Sequence, residues 1–143
     1  MADTAAVNAA AMATLDAWIN RIRSLPDLGK RAAPDVAAMI DDELRRTIGA
    51  GQSPDGTPLP KTLEGEVPLT GAGKALNVAA VGGTVYVRLR GVEAAHHLGR
   101  VRGGRARQLI PVGGLPPRMA QMAVTIVSKH FADTMGGREA DVP

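Results

Sequence analysis

Apolar side chains recur at helical spacing in three stretches of this chain and at every second position in one. Leu15, Trp18, Ile19, Ile22 and Leu25 share a face of a helix predicted from about Thr4 to Ser24, within residues 3–25. Asp3 or Thr4 can cap it, because a short side-chain oxygen accepts a free backbone N–H of the first turn. Pro26 ends it, since the residue before a proline is pushed out of the helical region. Val36, Ile40, Leu44 and Ile48 form an i, i+4 stripe on a second helix, predicted over 34–48. Pro34 suits its first turn, where a missing N–H costs nothing, Asp35 complements the dipole, and Gly49 is a natural stop. These two helices are expected to pair antiparallel. A last helix is predicted over 117–135, opened by Pro116-Pro117, with Met119, Met122, Ala123, Ile126, Val127, His130 and Phe131 along one side. Residues 136–143 are expected to form a flexible tail.

The period of two lies between them. Leu76, Val78 and Ala80 alternate with Asn77, Ala79 and Val81. Beyond Gly82-Gly83, Val85, Val87 and Leu89 alternate with Thr84, Tyr86, Arg88 and Arg90. Two alternating runs about a Gly-Gly pair read as a β-hairpin with Val85, Val87 and Leu89 inside and Arg88 and Arg90 outside. Val92–Leu98 reads as a short helix ending at Gly99, and Arg107–Val112 as a returning third strand in a β-rich part over 75–112. Residues 49–73 are dense in glycine and proline, so they form a long irregular loop, with a mechanistic turn at Pro54-Asp55-Gly56. The pattern as a whole predicts one α+β domain over 1–143: an N-terminal helical pair, a small antiparallel sheet built on a β-hairpin, a long Gly/Pro loop and a C-terminal helix.

Composition changes the picture in two ways. Of 143 residues only Trp18, Tyr86 and Phe131 are aromatic, so the core must be built from Ala, Val, Leu, Ile and Met. Small aliphatic side chains bury little area each, and subunit contacts are expected to supply part of the stability. The chain has no cysteine, which excludes disulfides, thiolate metal sites and cysteine nucleophiles. No apolar run approaches the ~20 residues that a membrane helix needs. The Met1–Thr4 start has no basic region before an apolar run, so no secretory leader is expected.

Charge is distributed unevenly. Residues 86–118 carry seven basic and one acidic side chain, whereas 1–50, 51–85 and 119–143 each have a net charge of −1. No acidic residue occurs from Ala94 to Ala132. Arg100, Arg102, Arg105 and Arg107 are interleaved there with Gly99, Gly103 and Gly104. Such a segment marks a local interaction surface for phosphates or an acidic protein. No aromatic residue lies between Tyr86 and Phe131, so base stacking and base-specific reading are not expected.

Other motifs carry less. Thr70-Gly71-Ala72-Gly73-Lys74-Ala75 glances at a phosphate-binding loop. It has Pro68 where the leading glycine belongs and Ala75 where the Mg²⁺-binding hydroxyl belongs, so it reads as a turn entering a strand. His96 and His97 are adjacent and point apart, which disfavours a shared metal; one packed and one surface histidine are expected. Asp41, Asp42 and Glu43 fan around a helix rather than converge. No catalytic residue, metal ligand, cofactor or small-molecule substrate is expected.

The order of these features resembles the virion morphogenesis (tail completion) proteins of tailed bacteriophages, over about residues 10–135. Two N-terminal helices precede Gly51-Gln52-Ser53-Pro54-Asp55-Gly56, which is similar to the family's Gly-x-x-Pro-Asp-Gly turn. Leu69-Thr70-Gly71 with Leu76 resembles its segment leading into a hairpin. Ala94-Ala95-His96-His97-Leu98-Gly99 resembles its Ala-x-x-His-x-x-Gly stretch, and Ile110-Pro111 before a terminal helix matches its end. The chain departs from the pattern at Leu59-Pro60, where the family usually has an aromatic. It departs again at Val112–Arg118, where the family continues with Ala-Arg, Pro and Phe.

The resemblance implies a structural role without catalysis, in the virion neck or head-proximal tail, as a homo-oligomeric ring (a hexamer) assembled in the bacterial cytoplasm. Its partners would be neighbouring connector, neck and tail proteins and, non-specifically, packaged DNA, with no membrane. Pro54, Asp55, Gly56, Thr70, Gly71, His97, Gly99 and Pro111 would then be structural motif positions, and Arg100, Arg102, Arg105 and Arg107 the partner or DNA contacts. The other reading of the same arginines is a small nucleic-acid-binding protein without sequence preference.

Overall fold

The computed structural model describes residues 2–62, 64–66, 68–97 and 107–136. Among the described residues, four helices and one hairpin follow in order: α1 (Ala2–Ser24), α2 (Leu28–Gly49), β1 (Leu76–Val81), β2 (Thr84–Leu89), α3 (Gly91–His97) and α4 (Pro117–Gly136). The expected α+β class is observed, with its helical pair, hairpin, long loop and C-terminal helix.

Everything is arranged on α2. Its predicted stripe holds: Ile40, Leu44 and Ile48 are buried and Val36 packs on them. The helix is longer than expected, however. It begins at Leu28, with Pro34 inside it rather than at its start. The missing N–H of Pro34 deprives the Lys30 carbonyl of its helical donor. The helix persists through this because Ala32 and Ala33 are buried there, so that tertiary packing offsets the single lost bond. Pro26 does end α1, within a 3₁₀ turn over Leu25–Asp27.

α1 does not lie along α2 as an antiparallel partner. Its contacts are with the connecting turn and with α4, and Arg21 Nη1 donates to the Met135 carbonyl at the C-terminal end of α4 (3.1 Å). The reason lies in the turn: Ser24, Asp27 and Leu28 all keep right-handed helical dihedrals, so the chain bends without reversing. The expected capping by Asp3 or Thr4 falls on side chains outside those described.

The hairpin forms about Gly82-Gly83 as expected. Val81 pairs with Thr84 across the two-residue Gly82-Gly83 turn, and Leu76 pairs with Leu89. Gly82 takes φ +60°, a conformation that a side chain disfavours and that suits the strand twist. Leu76, Val78, Val85, Val87 and Leu89 face α2, while Asn77, Ala79, Tyr86 and Arg88 face out. The predicted Val92–Leu98 helix is found as α3, ending at His97; Leu98 and Gly99 lie outside the described residues.

The third strand expected over 107–112 does not form. Arg107 N–H donates to the His96 carbonyl (3.0 Å) and Leu109 N–H to His97 Nδ1 (3.1 Å). Donors spent on the end of α3 are not free for a ladder. Leu109 instead plugs the core, which comprises Met39, Ile40, Leu44, Ile48, Leu59, Ala72, Leu76, Leu109 and Met119. Each fully buried Leu or Ile contributes about 1.5–3 kcal/mol by leaving water.

One charge is built into this packing. Glu43 on α2 is buried, accepts from Arg46 Nη2 (2.9 Å) and lies 3.4 Å from Arg118 Nε at the start of α4. The Arg46 hydrogen bond holds its carboxyl below the usual range, against the opposing effect of burial. A group with a depressed folded pKa stabilises the fold above its unfolded pKa and loses that contribution as pH falls through the folded value. Glu43→Gln keeps the shape and removes the charge, so it should cost about 1 kcal/mol at neutral pH. In chemical denaturation its deficit should shrink as pH falls below the ordinary glutamate value of 4.5.

Candidate partner-binding surface

The loop that follows α2 is irregular but internally bonded. Gly51 N–H donates to Ile48 O and Gln52 N–H to Thr47 O, which closes the helix end (3.0 and 2.8 Å). At the expected Pro54-Asp55-Gly56 turn, Gly56 N–H donates to Ser53 O (2.9 Å) and Gly56 takes φ +89°. Asp55 Oδ1 accepts from Ser53 Oγ–H and from Thr57 N–H. Those bonds, the Ser53 hydroxyl foremost, hold the Asp55 carboxyl below its usual range. Leu59 N–H then reaches back to Gly51 O (2.8 Å), and Leu59 is buried.

Thr70-Gly71 leads into a 3₁₀ turn over Ala72–Ala75 and so into β1, as a strand-entry turn should. Arg45 of α2 fastens it. Nη1 donates to Gly73 O (2.8 Å) and Nη2 to Leu76 O (3.3 Å), while Nε pairs with Asp41 (3.0 Å).

Of the four arginines expected to meet a partner, Arg100, Arg102 and Arg105 lie outside the described residues, as does Gly99. Arg107 is described and half-buried. Its Nε donates to Pro60 O (3.0 Å) and Nη2 to Lys61 O (3.4 Å). The side chain thus ties the far end of the arginine segment to the Gly/Pro loop.

His97 stands beside it. Its Nδ1 accepts the Leu109 N–H, which places the ring proton on Nε2. Both histidines are half-buried, where one packed and one surface residue were expected. Pro111 is half-buried and borders an apolar groove with Val36, Ile40 and Leu115. The motif positions Asp55 and His97 therefore act on the backbone of loops, and so does Arg107, which was expected instead as a partner or DNA contact. Among the described residues no group of three or more His, Asp or Glu is placed to hold a metal ion.

The apolar surface is the part that residue patterns showed only dimly. All three aromatic side chains are half exposed: Trp18 at 44%, Tyr86 at 46% and Phe131 at 47%. Trp18 belongs to an exposed row with Met12, Leu15 and Ile22 on α1; Phe131 lies with Val124 and Val127 on α4. Tyr86 lies on the outer face of the hairpin, beside Asn77, Ala79, Val81 and Arg88.

The α4 stripe is consequently split. Met119, Met122, Ala123 and Ile126 face the core, and His130 reaches Asp35 of α2 (2.6 Å). Val127 and Phe131 lie at the exposed edge of the stripe. A helix advances 100° per residue, which turns these two about 80° and 120° away from Met119 and off the core. Among the described residues no helix is long and apolar enough to cross a membrane.

No family model, curated protein or solved structure matches this chain.

Burial lowers the affinity of His97 for a proton, and a proton on Nδ1 would displace the Leu109 N–H. A histidine with a depressed folded pKa contributes stability that is present above its ordinary value of 6.5 and is lost as pH falls below it. Thermal melts from pH 7.5 to 5 should therefore show a falling midpoint. In His97→Asn the amide oxygen takes the place of Nδ1, and that part of the pH dependence should disappear.

Proposed function

We propose that the chain is a structural subunit of a tailed-phage or phage-derived particle, acting in tail completion and head–tail joining within a homo-oligomeric ring, a hexamer. One observation carries the reading as an assembly subunit: among the described residues the core has no aromatic side chain, and the three that the chain possesses are spent on the surface. Aromatic residues are the richest source of contact energy at protein interfaces. A protein with three of them gains most from keeping them inside, unless another molecule covers them.

The phage context is supported by the ordered motifs of the resemblance. His97 and Arg107 bring the two ends of the arginine segment together and tie them to the Gly/Pro loop, since Arg107 N–H bonds His96 O, Leu109 N–H bonds His97 Nδ1 and the Arg107 guanidinium bonds Pro60 O. In this reading Arg100, Arg102 and Arg105 contact DNA non-specifically or an acidic neighbouring ring, and Arg107 secures their base. The particle neck or tail is the corresponding location.

Native mass measurement of the purified chain should give a closed ring, six subunits in the expected case. A single subunit mass at every concentration would overturn the proposal. Salt-sensitive DNA binding by that lone subunit would favour the nucleic-acid-binding alternative. Changing Arg100, Arg102 and Arg105 together to Ser, with Arg107 retained, should leave ring and melting temperature unchanged while lowering the yield of joined, DNA-filled particles several-fold. Undiminished infectivity would remove the arginines from the mechanism.

A further inference from the structure

The two edges of the hairpin are not equally open. Arg90 N–H donates to the Ala75 carbonyl (3.1 Å), and bonded pairs of an antiparallel ladder alternate from such a point. Asn77 with Arg88, Ala79 with Tyr86 and Val81 with Thr84 are therefore the bonded pairs. Val78 and Ala80 lie between them, so their N–H and C=O groups point away from β2. Among the described residues neither has a hydrogen-bond partner on that outer side. Leu76 shares the same edge but is spent: its carbonyl accepts from Arg45 Nη2 (3.3 Å) and its N–H donates to Gly73 O. The β2 edge is flanked instead by residues 110–115, which wall an apolar groove with Val85 and Val87.

The β1 edge is also unguarded. Natural sheets blunt a free edge with charged side chains, proline or a bulge. Leu76–Val81 contains no charged residue and no proline, and its six residues pair with β2 without interruption. Beside it a space of about 570 Å³ is bounded by Pro34, Ala37 and Ala38 of α2, whose small side chains leave room along the strand. Unpaired N–H and C=O groups two residues apart are met in full only by another extended backbone.

We propose that β1 pairs antiparallel with β1 of a second copy, about a twofold axis through Ala79, so that two hairpins make one four-stranded sheet. The free groups fix the register. With Val78 opposite Ala80 of the second copy, and Ala80 opposite its Val78, every open group on both strands is bonded. A slip of two residues sets an open residue against Leu76, whose groups are spent, or against Gly82, which is in the turn at φ +60°. At the axis Ala79 meets its own counterpart in a non-bonded pair, where the Cα atoms come within ~4.5 Å. Alanine suits that approach, and on the inner face the larger Val78 lies against the smaller Ala80. β1 carries no charge to repel its copy. With β2 flanked, β1 is the edge left to pair, and a contact of like with like is the twofold kind. The product also replaces a ribbon that is marginal in water with a wider sheet. The inference does not rest on the ring, although six subunits divide into three such pairs.

The chain has no cysteine, so one introduced cysteine can form a disulfide only between two molecules. Ala79 and Asn77 are both exposed on the outer face. Under mild oxidation full-length Ala79→Cys should cross-link roughly tenfold faster than Asn77→Cys, because only position 79 meets itself at a separation a disulfide spans. Equal rates would overturn the register. By native mass measurement Ala79→Lys and Ala79→Glu should each pair roughly tenfold more weakly than the wild type, since like charges would stand opposite. Their circular dichroism should show them folded. Mixing the two should restore a one-to-one pair that weakens with salt.

If Ala79→Lys associates as tightly as the wild type, the edge pairing is overturned while any ring stands. A wild-type pair that never grows further upholds the pairing and removes the ring. A wild-type chain that stays a single subunit at every concentration overturns both, and leaves the edge to a strand of a different protein.

Discussion

The inner face of the β1–β2 hairpin lies on α2, and neither would persist without the other. A two-stranded ribbon is at best marginal in water, and a helix with aliphatic residues on more than one side must cover them. α2 buries Ala32, Ala33, Ala37, Met39, Ile40, Leu44 and Ile48, which is too wide a surface for one neighbour. The hairpin takes one side and α4 the other. Arg45 then extends the helix's influence to the turn before β1, holding Gly73 and Leu76 by their carbonyls. The strand therefore enters the sheet in a register fixed from the helix.

That arrangement limits what the rest of the chain can do. With α2 covered by small aliphatic side chains, little space is left inside for an indole or a phenyl ring. Trp18, Tyr86 and Phe131 are accordingly outside, on three separate elements. The same constraint explains why α1, the element with the largest exposed apolar row, adds little to the core of its own chain.

Polar groups settle the loops. Where the backbone from Arg107 to Leu109 could have paired with a strand, α3 offers the His96 carbonyl and His97 Nδ1 instead. Arg107 was legible as a cation but not as a clamp. Its partners are the carbonyls of Pro60 and Lys61, more than forty residues away in the chain, and nothing in the local sequence announces them. Asp55 was the reverse case: its turn could be read from Pro54 and Gly56 alone, because an Asx-type turn is completed within a few residues.

Properties with short range in the chain were determined by the amino-acid sequence itself. The α+β class, the stop at Pro26, the i, i+4 stripe of α2, the Gly82-Gly83 hairpin and its inward faces, and the Pro-Asp-Gly turn all follow from neighbours within one or two turns. The tertiary structure alone decided matters of long-range competition. Burial of Ala32 and Ala33 carried α2 past Pro34, the bend after α1 directed it toward α4 rather than along α2, and α3 took the donors that a third strand required. It also decided which half of each apolar stripe stayed dry, because a periodic pattern states that a face is apolar without stating what stands against it.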